Sequence, residues 1–361
     1  MLKNWRRLAT NTLKYVIKLA EAVALPAPNL PKFPLARYLK LQPDAVRDRV
    51  ILHAPQSVAY AAGSSEVQRF TPVTSLDAWL LAHPQGATTI DIPAHFVSGD
   101  EPIVLTGPKQ AGGLLYVHVG KGAKVTIQEK WASGGNVLGV WLVLVIDADA
   151  EVSWLSYDSF TAETVIANRT TTLGANAKLN WTLAGFSRNS GLNRVDVRLL
   201  GQNAEATVNV GVLAAGSQHV SYTTSVTNEA QHTVGHINQR GVITGSAHLL
   251  FNGIGHIIKG ARGSDAQQEN RVLMLSPHAE GDANPILLID ENDVTAGHAA
   301  SVTRVNADQL YYLMSRGLSA TLAKRLVIRG FLEGGLAEID DVRLKKELFA
   351  TIDRTLVAED A

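Results

Sequence analysis

The sequence predicts a mainly β protein, a right-handed parallel β-helix of about 27 residues per coil that is flanked by N- and C-terminal helical regions. Two observations lead to this prediction. Alanine recurs at a constant spacing, each time after a turn of small residues and before a charged residue. Beyond each charged residue, apolar and polar side chains alternate, which is typical of a strand. The four alanines are Ala123, Ala150, Ala177 and Ala204.

A strand that recurs at a fixed interval indicates a solenoid, in which each unit buries its apolar face on the next. The connections within a coil are too short for antiparallel hairpins, so we expect the strands to stack in parallel. About 215 residues at this spacing make roughly eight coils, on the order of 40 Å of stacked strands. A doubly wound or barrel enzyme would require amphipathic helices between the strands, and none fits the sequence.

The chain before the repeats, residues 1–87, is predicted to form a helical and irregular N-terminal region. We expect one helix over residues 5–24, which ends at a proline-rich connector. A second, short helix is expected over residues 75–81, with Ser75 as its cap. The β-helix core is then predicted over residues 88–305.

Residues 306–361 are predicted to form a C-terminal helical domain, because the apolar pattern changes there from strand to helix. Asn306 and Ser319 are placed to cap the first two helices, and Gly317 stands where a helix C terminus favours a left-handed residue. A third helix follows Asp341. The apolar stripe predicted for the second helix consists of Leu322, Ala323, Leu326, Val327 and Gly330.

Composition narrows the classes of function that the chain can have. Lys+Arg and Asp+Glu both number 33, so the net charge is zero and no basic field attracts nucleic acid or an anionic membrane. The chain contains no cysteine, which excludes disulfides, thiolate metal ligands and a thiol nucleophile of its own. No apolar run approaches the ~18 residues that a membrane span requires. We therefore expect neither a nucleic-acid partner nor a membrane partner.

Motifs for phosphate or metal chemistry are weak. Gly120-Lys121 lacks the following serine or threonine and the upstream glycine of a phosphate-binding loop, so we expect no nucleotide hydrolysis. His232 and His236 have the spacing of a helical metal pair. On a strand, however, they would lie about 13 Å apart and would not share an ion.

One acidic group leaves a second function open. Asp290, Glu291 and Asp293 could serve as paired carboxylates of a carbohydrate-active β-helix enzyme, either a polysaccharide lyase or a hydrolase. The competing interpretation is a turn, because Asp and Asn side chains bond to their own backbone.

The segment from Gly253 to Phe331 carries the most specific pattern and resembles the SufB/SufD family, in particular its SufD branch. These proteins are scaffold subunits of the iron–sulfur cluster assembly machinery. The matching pieces are a Phe–Gly strand, an Asp-Ala-x-Gln turn, a Leu-x-Leu-Ser strand, an Asp-Val-x-x-x-His-x-Ala segment and a Leu-Tyr-Tyr-Leu-x-Ser-Arg-Gly helix with its Gly-Phe follower. They follow one another in order at positions 251–253, 265–268, 273–276, 293–300, 310–317 and 330–331.

The resemblance implies a non-catalytic, cytoplasmic scaffold that pairs with a SufB-like subunit and docks a SufC-like ATPase. Pairing would use the last strands of the β-helix, and docking would use the C-terminal helices. The implied docking residues are Leu310, Tyr311, Leu313, Arg316, Leu326 and Phe331. No cofactor is expected on the isolated chain, and a transient iron–sulfur cluster is expected at the partner interface. The sequence leaves open flavin binding, the cluster type and a homodimer in the partner's absence.

His298 and Asp293 are the residues that the resemblance assigns to the cluster interface. Some relatives carry a cysteine two residues before this histidine, where the present chain has Ala296. Iron–sulfur clusters require soft thiolate ligands, so the partner would supply them and His298 would add at most one nitrogen ligand to a shared site. Asp293 would orient the turn or the imidazole.

Overall fold

The computed structural model describes residues 35–44, 50–63, 75–82, 87–99, 101–107, 113–336, 339 and 342–360. The helix expected over residues 5–24 lies outside these ranges. The described strands are β1 (Ile51–His53), β2 (Ala59–Gly63), β3 (Ala87–Ile92), β4 (Ile103–Gly107), β5 (Gly113–Val119), β6 (Lys124–Trp131), β7 (Val137–Ile146), β8 (Glu151–Asp158), β9 (Thr164–Leu173), β10 (Lys178–Gly185), β11 (Ser190–Leu199), β12 (Glu205–Ala214), β13 (His219–Asn228), β14 (Val234–Ile243), β15 (His248–Ile257), β16 (Ser264–Met274), β17 (Glu280–Ile289) and β18 (Val294–Arg304). The described helices are α1 (Leu35–Tyr38), α2 (Ser75–Ala82), α3 (Ala307–Ser315), α4 (Ala320–Glu333) and α5 (Val342–Asp360).

The strands form two nine-stranded sheets that face each other across one core. Sheet 1 has the order β1-β4-β6-β8-β10-β12-β14-β16-β18, and sheet 2 has the order β17-β15-β13-β11-β9-β7-β5-β3-β2. From β3 and β4 onward, each coil contributes one strand to each sheet, and neighbouring strands are parallel. The predicted parallel β-solenoid of about eight coils is therefore confirmed.

The N-terminal end of the solenoid is covered by two antiparallel strands. Strand β1 pairs with β4, and β2 pairs with β3. Both lie in the region predicted to be helical and irregular, so the sequence pattern missed them, because they are short and carry no repeat. Helix α2 matches the short helix predicted from Ser75, and its Trp79 packs on the outer face of sheet 2 beside Ile166 and Leu192.

The coils lengthen toward the C terminus. Lys124 lies opposite Glu151 at a separation of 27 residues. Asn209 and Asn238 are paired at 29 residues, and Gln239 and Asn270 at 31. The extra residues enter partly within the strands, since β10 has 8 residues and β12 has 10, and partly at later turns, which explains why the regular period fades after Ala204 while the strands continue.

A left-handed residue stands at the same turn of successive coils and explains the small-residue motif before each alanine. The series with positive φ is His95, Gly122, Asp149, Asn176, Asn203, His232 and Gly263. Glycine, Asn and Asp tolerate this conformation, and His adopts it more often than most residues. Each backbone N–H in the series donates to a carbonyl of the next coil, as Asn176 does to Gln202. The recurring alanines follow these turns and are fully buried.

Among the described residues, a buried charged cluster interrupts the apolar ladders of the core. Arg169 on β9 donates to Asp158 on β8 at 2.7 Å and lies 3.7 Å from a carboxylate oxygen of Glu129 on β6. Glu129 also accepts hydrogen bonds from Trp131, Trp154 and Ser156. Two carboxylates thus surround one guanidinium inside the solenoid, at its N-terminal half.

Helices α4 and α5 pack on the outer face of sheet 1. Ile328, Leu332, Leu348 and Ile352 are buried there, and the Tyr157 hydroxyl forms a 3.1 Å hydrogen bond with Thr351 of α5.

The helix caps are as predicted. The Asn306 side chain accepts hydrogen bonds from two backbone N–H groups of α3, and the Ser319 side chain accepts one from α4.

The stripe predicted for α4 needs a correction. The buried residues of this helix are Ala323, Ile328 and Leu332, whereas Leu322 and Leu326 are exposed. Packing on sheet 1 buries one side of α4, and a second apolar side of this helix remains exposed to solvent.

We predict that the stability of the solenoid depends on pH through His118. Its ring nitrogens lie 2.5 Å from Asp91 and 3.1 Å from Asp147, across successive coils. Burial alone would lower the pKa of His118, but the hydrogen bonds and charges of Asp147 and Asp91 outweigh it and raise the pKa to about 9. The imidazolium thus stabilises the fold fully below the unfolded-state pKa of about 6.5, and this stabilisation is lost as pH rises through 9.

Denaturant unfolding of the full chain between pH 6 and pH 10 measures this dependence. We expect the free energy of unfolding to fall by about 2 kcal/mol across that range in the wild type and by clearly less in His118→Asn. Equal pH dependence in the two proteins would contradict the assignment.

Candidate partner-binding end of the solenoid

The C-terminal end of the solenoid lacks a cover among the described residues. Strand β18 pairs only with β16, and β17 only with β15, so both final strands keep one unpaired edge in this part of the chain. The opposite end has β1 and β2 in these positions. An unpaired strand edge presents backbone N–H and C=O groups to another chain.

Apolar side chains of the last coil are exposed in positions that earlier coils bury. Val302 lies directly opposite Val272 in the register, and the side chains of both approach Gly281 on the inner face. Val272 is 0% exposed and Val302 is 40% exposed. Ile289 on β17 likewise is exposed, although its neighbour Ile257 is buried. We will call the inner face of β17 and β18, including Ile289, His298 and Val302, the open end.

His298 lies at this open end. It stands opposite Gln268 in the strand register and four residues before Val302, so its side chain belongs to the inner face. The imidazole is exposed and has no hydrogen-bond partner among the described residues. A histidine in this position can bind a group that approaches along the axis of the solenoid.

Asp293 lies in the turn that leads into β18. Its backbone carbonyl accepts a 2.6 Å hydrogen bond from the N–H of Gly263, the last left-handed turn residue of the series. The Asp293 side chain is exposed, and no hydrogen bond joins it to His298 among the described residues. Asp293 therefore supports the turn through its backbone, and a role in orienting the imidazole stays a prediction.

The contacts of the neighbouring carboxylates do not support the carbohydrate-active interpretation and favour a turn instead. Asp290 lies 3.1 Å from His256. Glu291 accepts from the backbone N–H of Gly260 at 2.9 Å and of Asn292 at 2.9 Å, and these bonds lower the pKa of Glu291. A glycosidase acid requires a raised pKa. These side chains instead stabilise the last turn, as the competing turn interpretation predicts.

The two histidines that have metal-ligand spacing in the sequence also have structural roles. His236 pairs with Asp265 at 2.9 Å, and His232 occupies a left-handed turn position. The described residues contain no group of three or more His, Cys, Asp or Glu side chains that could hold a metal ion. A metal site at the open end would therefore be incomplete without ligands from elsewhere.

The C-terminal helices present a second exposed apolar surface. Helix α3 has no buried residue, and Tyr311 is 74% exposed on it. A groove between the end of β18 and helices α3 and α4 is lined by Leu313, Leu326 and Phe331, among others. Phe331 also packs under the guanidinium of Arg240, at 5.8 Å.

The six residues predicted for docking lie on helices α3 and α4 or, for Arg316, at the C-cap of α3, in different environments. Tyr311, Arg316 and Leu326 are exposed, and Leu310, Leu313 and Phe331 are half-buried. Arg316 lies over the ring of Tyr312 at 5.2 Å, which holds part of the surface in place.

None of the helices in the described part of the chain has the length and apolar character that a membrane span requires.

The strand pattern did not single out Val302 or Ile289, and Gln268 entered only as the last residue of a motif interpreted as a turn, which in fact lies within β16. Their importance follows from the register of the last two coils. Because these coils are longer than the earlier ones, their residues do not follow the period seen earlier in the sequence. A period of 30 would have placed Gln268 beside His298 and Val272 beside Val302.

Comparisons of this chain with family models and with known proteins point to the same family. Residues 107–331 match the SufBD core domain of the SUF system for iron–sulfur cluster assembly. The chain is 39% identical to the iron–sulfur cluster assembly protein SufD of Bacillus subtilis over 238 residues, which are 64% of this chain and 54% of that protein.

Two relatives in Mycobacterium tuberculosis are described as iron–sulfur cluster assembly SufBD family proteins. One is 26% identical over 70% of this chain and 67% of its own length. The other is 31% identical over 44% of this chain and only 19% of its own length. The chain therefore spans about half of the Bacillus subtilis protein that it matches and a smaller part of some other relatives.

Proposed function

Since this chain belongs to the SufB/SufD family and is SufD-like, we propose that it is a non-catalytic scaffold subunit for iron–sulfur cluster assembly in the cytoplasm. The observation that carries the proposal is the asymmetry of the two ends. Short antiparallel strands close the first coil, whereas the last coil exposes an edge and an apolar inner face. Such a surface fits a partner built from the same kind of coil.

The proposed partner at the open end is a SufB-like subunit. Its own last strands would pair with β17 and β18 and bury Val302 and Ile289, which continues both sheets across the interface. In the absence of that subunit, a second copy of this chain has the same surface and is the alternative occupant. The stoichiometry of the purified proteins distinguishes the two assemblies.

The nascent cluster is the cargo of the complex and would form beside His298. This chain contains no cysteine, so the thiolates that iron requires would come from the SufB-like subunit. His298 contributes one nitrogen, and its exposed position allows that contact without rearrangement of the coil. The isolated chain would therefore retain no cluster, and a flavin is not part of the proposal.

Replacing His298 with alanine tests this function. We expect His298→Ala to leave folding and partner binding unchanged, because the imidazole is exposed and has no partner among the described residues, and to lower the iron and sulfide retained per reconstituted complex by about 10-fold. Co-purification with the SufB-like and SufC-like proteins, followed by iron and sulfide analysis, measures this. Wild-type cluster content in the variant would assign His298 to structure.

The helical surface is the proposed docking site of a SufC-like ATPase. Helix α3 buries none of its residues against the solenoid, and the groove beside Leu313 and Leu326 is apolar. Contiguous exposed apolar surface of this kind marks a protein interface. Nucleotide hydrolysis would then occur in the ATPase, in agreement with the missing phosphate-binding loop.

We predict that Leu326→Asp weakens ATPase binding at least 10-fold, because it places a charge in the groove that the ATPase would desolvate. Leu326 is 43% exposed, so the isolated chain should tolerate the change. Val342→Asp is the matched control, since Val342 is 79% exposed and is not part of the groove. Titration of the ATPase against both variants gives the answer; equal affinities would move the docking site elsewhere.

A further inference from the structure

Two ladders of the inner face change from apolar to polar shortly before the open end. One register ladder runs through Trp154, Trp181, Val208 and Ile237, and then continues with Gln268 and His298. The adjacent ladder changes in the same way, from Val210 to Gln239 and Asn270. Polar side chains in a core cost free energy unless they are hydrogen-bonded there.

Gln268 occupies a fixed orientation with one unused atom. It is 4% exposed, and its Nε2 donates to the carbonyl of Ile286 at 2.8 Å. This bond sets the amide orientation, because the reverse orientation would place two oxygens against each other. The other amide atom, Oε1, is buried and has no hydrogen-bond partner in the part of the chain that the structure describes. A buried acceptor without a partner is rare and calls for an explanation.

Gly253 makes room for this side chain. A Cβ atom at Gly253 would overlap Oε1 of Gln268, and it would lie 2.9 Å from Nδ2 of Asn270. Gly253 faces the same interior on the opposite strand β15, between Thr224 and Pro285 in the ladder. Two features of the sequence, the glycine and the amide, are thus matched to place the Oε1 acceptor inside the last buried coil.

We propose that Gln268 is a positioning residue: when the exposed imidazole of His298 turns inward, its N–H donates a hydrogen bond to Oε1 of Gln268, which fixes the tautomer and leaves the other ring nitrogen free for the incoming cargo. Gln268 and His298 are directly opposite on adjacent strands, but in this structure the bond is not formed, and neither the His298 ring nor Oε1 has a hydrogen-bond partner among the described residues. A histidine that binds metal usually donates its second N–H to a carbonyl or carboxylate group. The part that concerns the cargo rests on the proposed function, whereas the hydrogen bond does not.

Asn270 supplies the competing explanation. Its Nδ2 is also buried and has no partner among the residues that the structure describes, while its Oδ1 accepts a hydrogen bond from Gln239 at 3.0 Å. Donation from Asn270 to Gln268 would satisfy both amides and leave His298 alone. The two arrangements differ in what a change at Gln268 does to the imidazole.

The test is the tautomer of His298 in the full chain with ¹⁵N-labelled histidine, at a pH where the imidazole is neutral. The His298 resonances are identified by their loss in His298→Ala. We expect two well-separated ring ¹⁵N resonances in the wild type, as for a single tautomer. In Gln268→Met, which keeps the volume but not the acceptor, we expect the two resonances to move toward each other as the tautomers mix.

Two glycine variants provide a second, independent test of the contact between Gln268 and His298. Gly253→Ala displaces the Gln268 side chain and should move the His298 resonances in the same direction. Gly255→Ala is the control, because its Cβ would lie 3.0 Å from the flexible Leu287 and 3.9 Å from Gln268. Melting temperatures check that all variants are folded. Unchanged His298 resonances in folded Gln268→Met would overturn the proposal and favour donation from Asn270.

Iron retention separates this inference from the function on which its last part rests. In the reconstituted complex, Gln268→Met should lower retained iron about 10-fold. If His298→Ala has no effect on iron, the proposed function fails, whatever the tautomer. If His298→Ala lowers iron but Gln268→Met lowers it no more than Gly255→Ala does, the positioning role fails while the function stands.

Discussion

Val302→Asp is expected to abolish pairing with the SufB-like subunit, with a loss of affinity of at least ~100-fold, or ~2.7 kcal/mol. Val302 is 40% exposed in the chain alone, so the carboxylate stays hydrated and the solenoid stays folded. Stacking of the partner's strands on the open end would bury this position as Val272 is buried one coil earlier. An unpaired carboxylate in that environment costs several kcal/mol, which the interface does not recover.

The matched control is Ser301→Asp. Ser301 neighbours Val302 on the same strand but faces the outer surface, opposite Arg271. Isothermal titration of the SufB-like subunit into each variant measures the affinities, and melting temperatures report the fold. Wild-type affinity of Val302→Asp, or equal losses in both variants, would contradict binding through the inner face of the last coil.

Arg169→Met is expected to lower the free energy of unfolding by about 3–5 kcal/mol. The guanidinium is fully buried and lies between Asp158 and Glu129. Burial raises the pKa of Asp158 to about 6 even though the charge of Arg169 opposes that shift. Without Arg169, two carboxylates would remain in the core with no countercharge. Chemical denaturation of the full chain, monitored by fluorescence of the buried tryptophans, measures the loss.

A double substitution provides the control for this prediction. In Arg169→Met with Asp158→Leu, the remaining charge is Glu129, which keeps hydrogen bonds from Trp131, Trp154 and Ser156. We expect the double variant to regain most of the lost stability, since a buried ion pair can be replaced by apolar residues at little cost. A double variant less stable than Arg169→Met would show that volume, rather than unpaired charge, dominates at this site.

Much of the fold could be predicted from the sequence because three successive coils, between Lys124 and Glu205, have equal lengths. Ala123 and its three successors mark one turn, where a left-handed residue precedes a fully buried small side chain. The pattern ended at Ala204 since the later coils contain 29 to 31 residues. Strand alternation persisted beyond it, so the number of coils was still correct.

The candidate site was less accessible from sequence than the fold. His298 was found through a motif, but its inner-face position depends on the register with Gln268, which the sequence did not give. Helix α4 shows the same limit: both Leu326 and Ile328 lie on apolar sides, and only packing on sheet 1 decides that Ile328 is buried. The terminal strands β1 and β2 carry no periodic signal at all.

The most direct test of the central claim, that the last coil is completed by another chain, is amide hydrogen exchange of this protein alone and in complex with the SufB-like subunit. We predict new protection in β17 and β18 on binding, with no change in β1 to β4 at the covered end. Protection confined to the N-terminal strands, or unchanged exchange in β17 and β18 in a stable complex, would contradict the account.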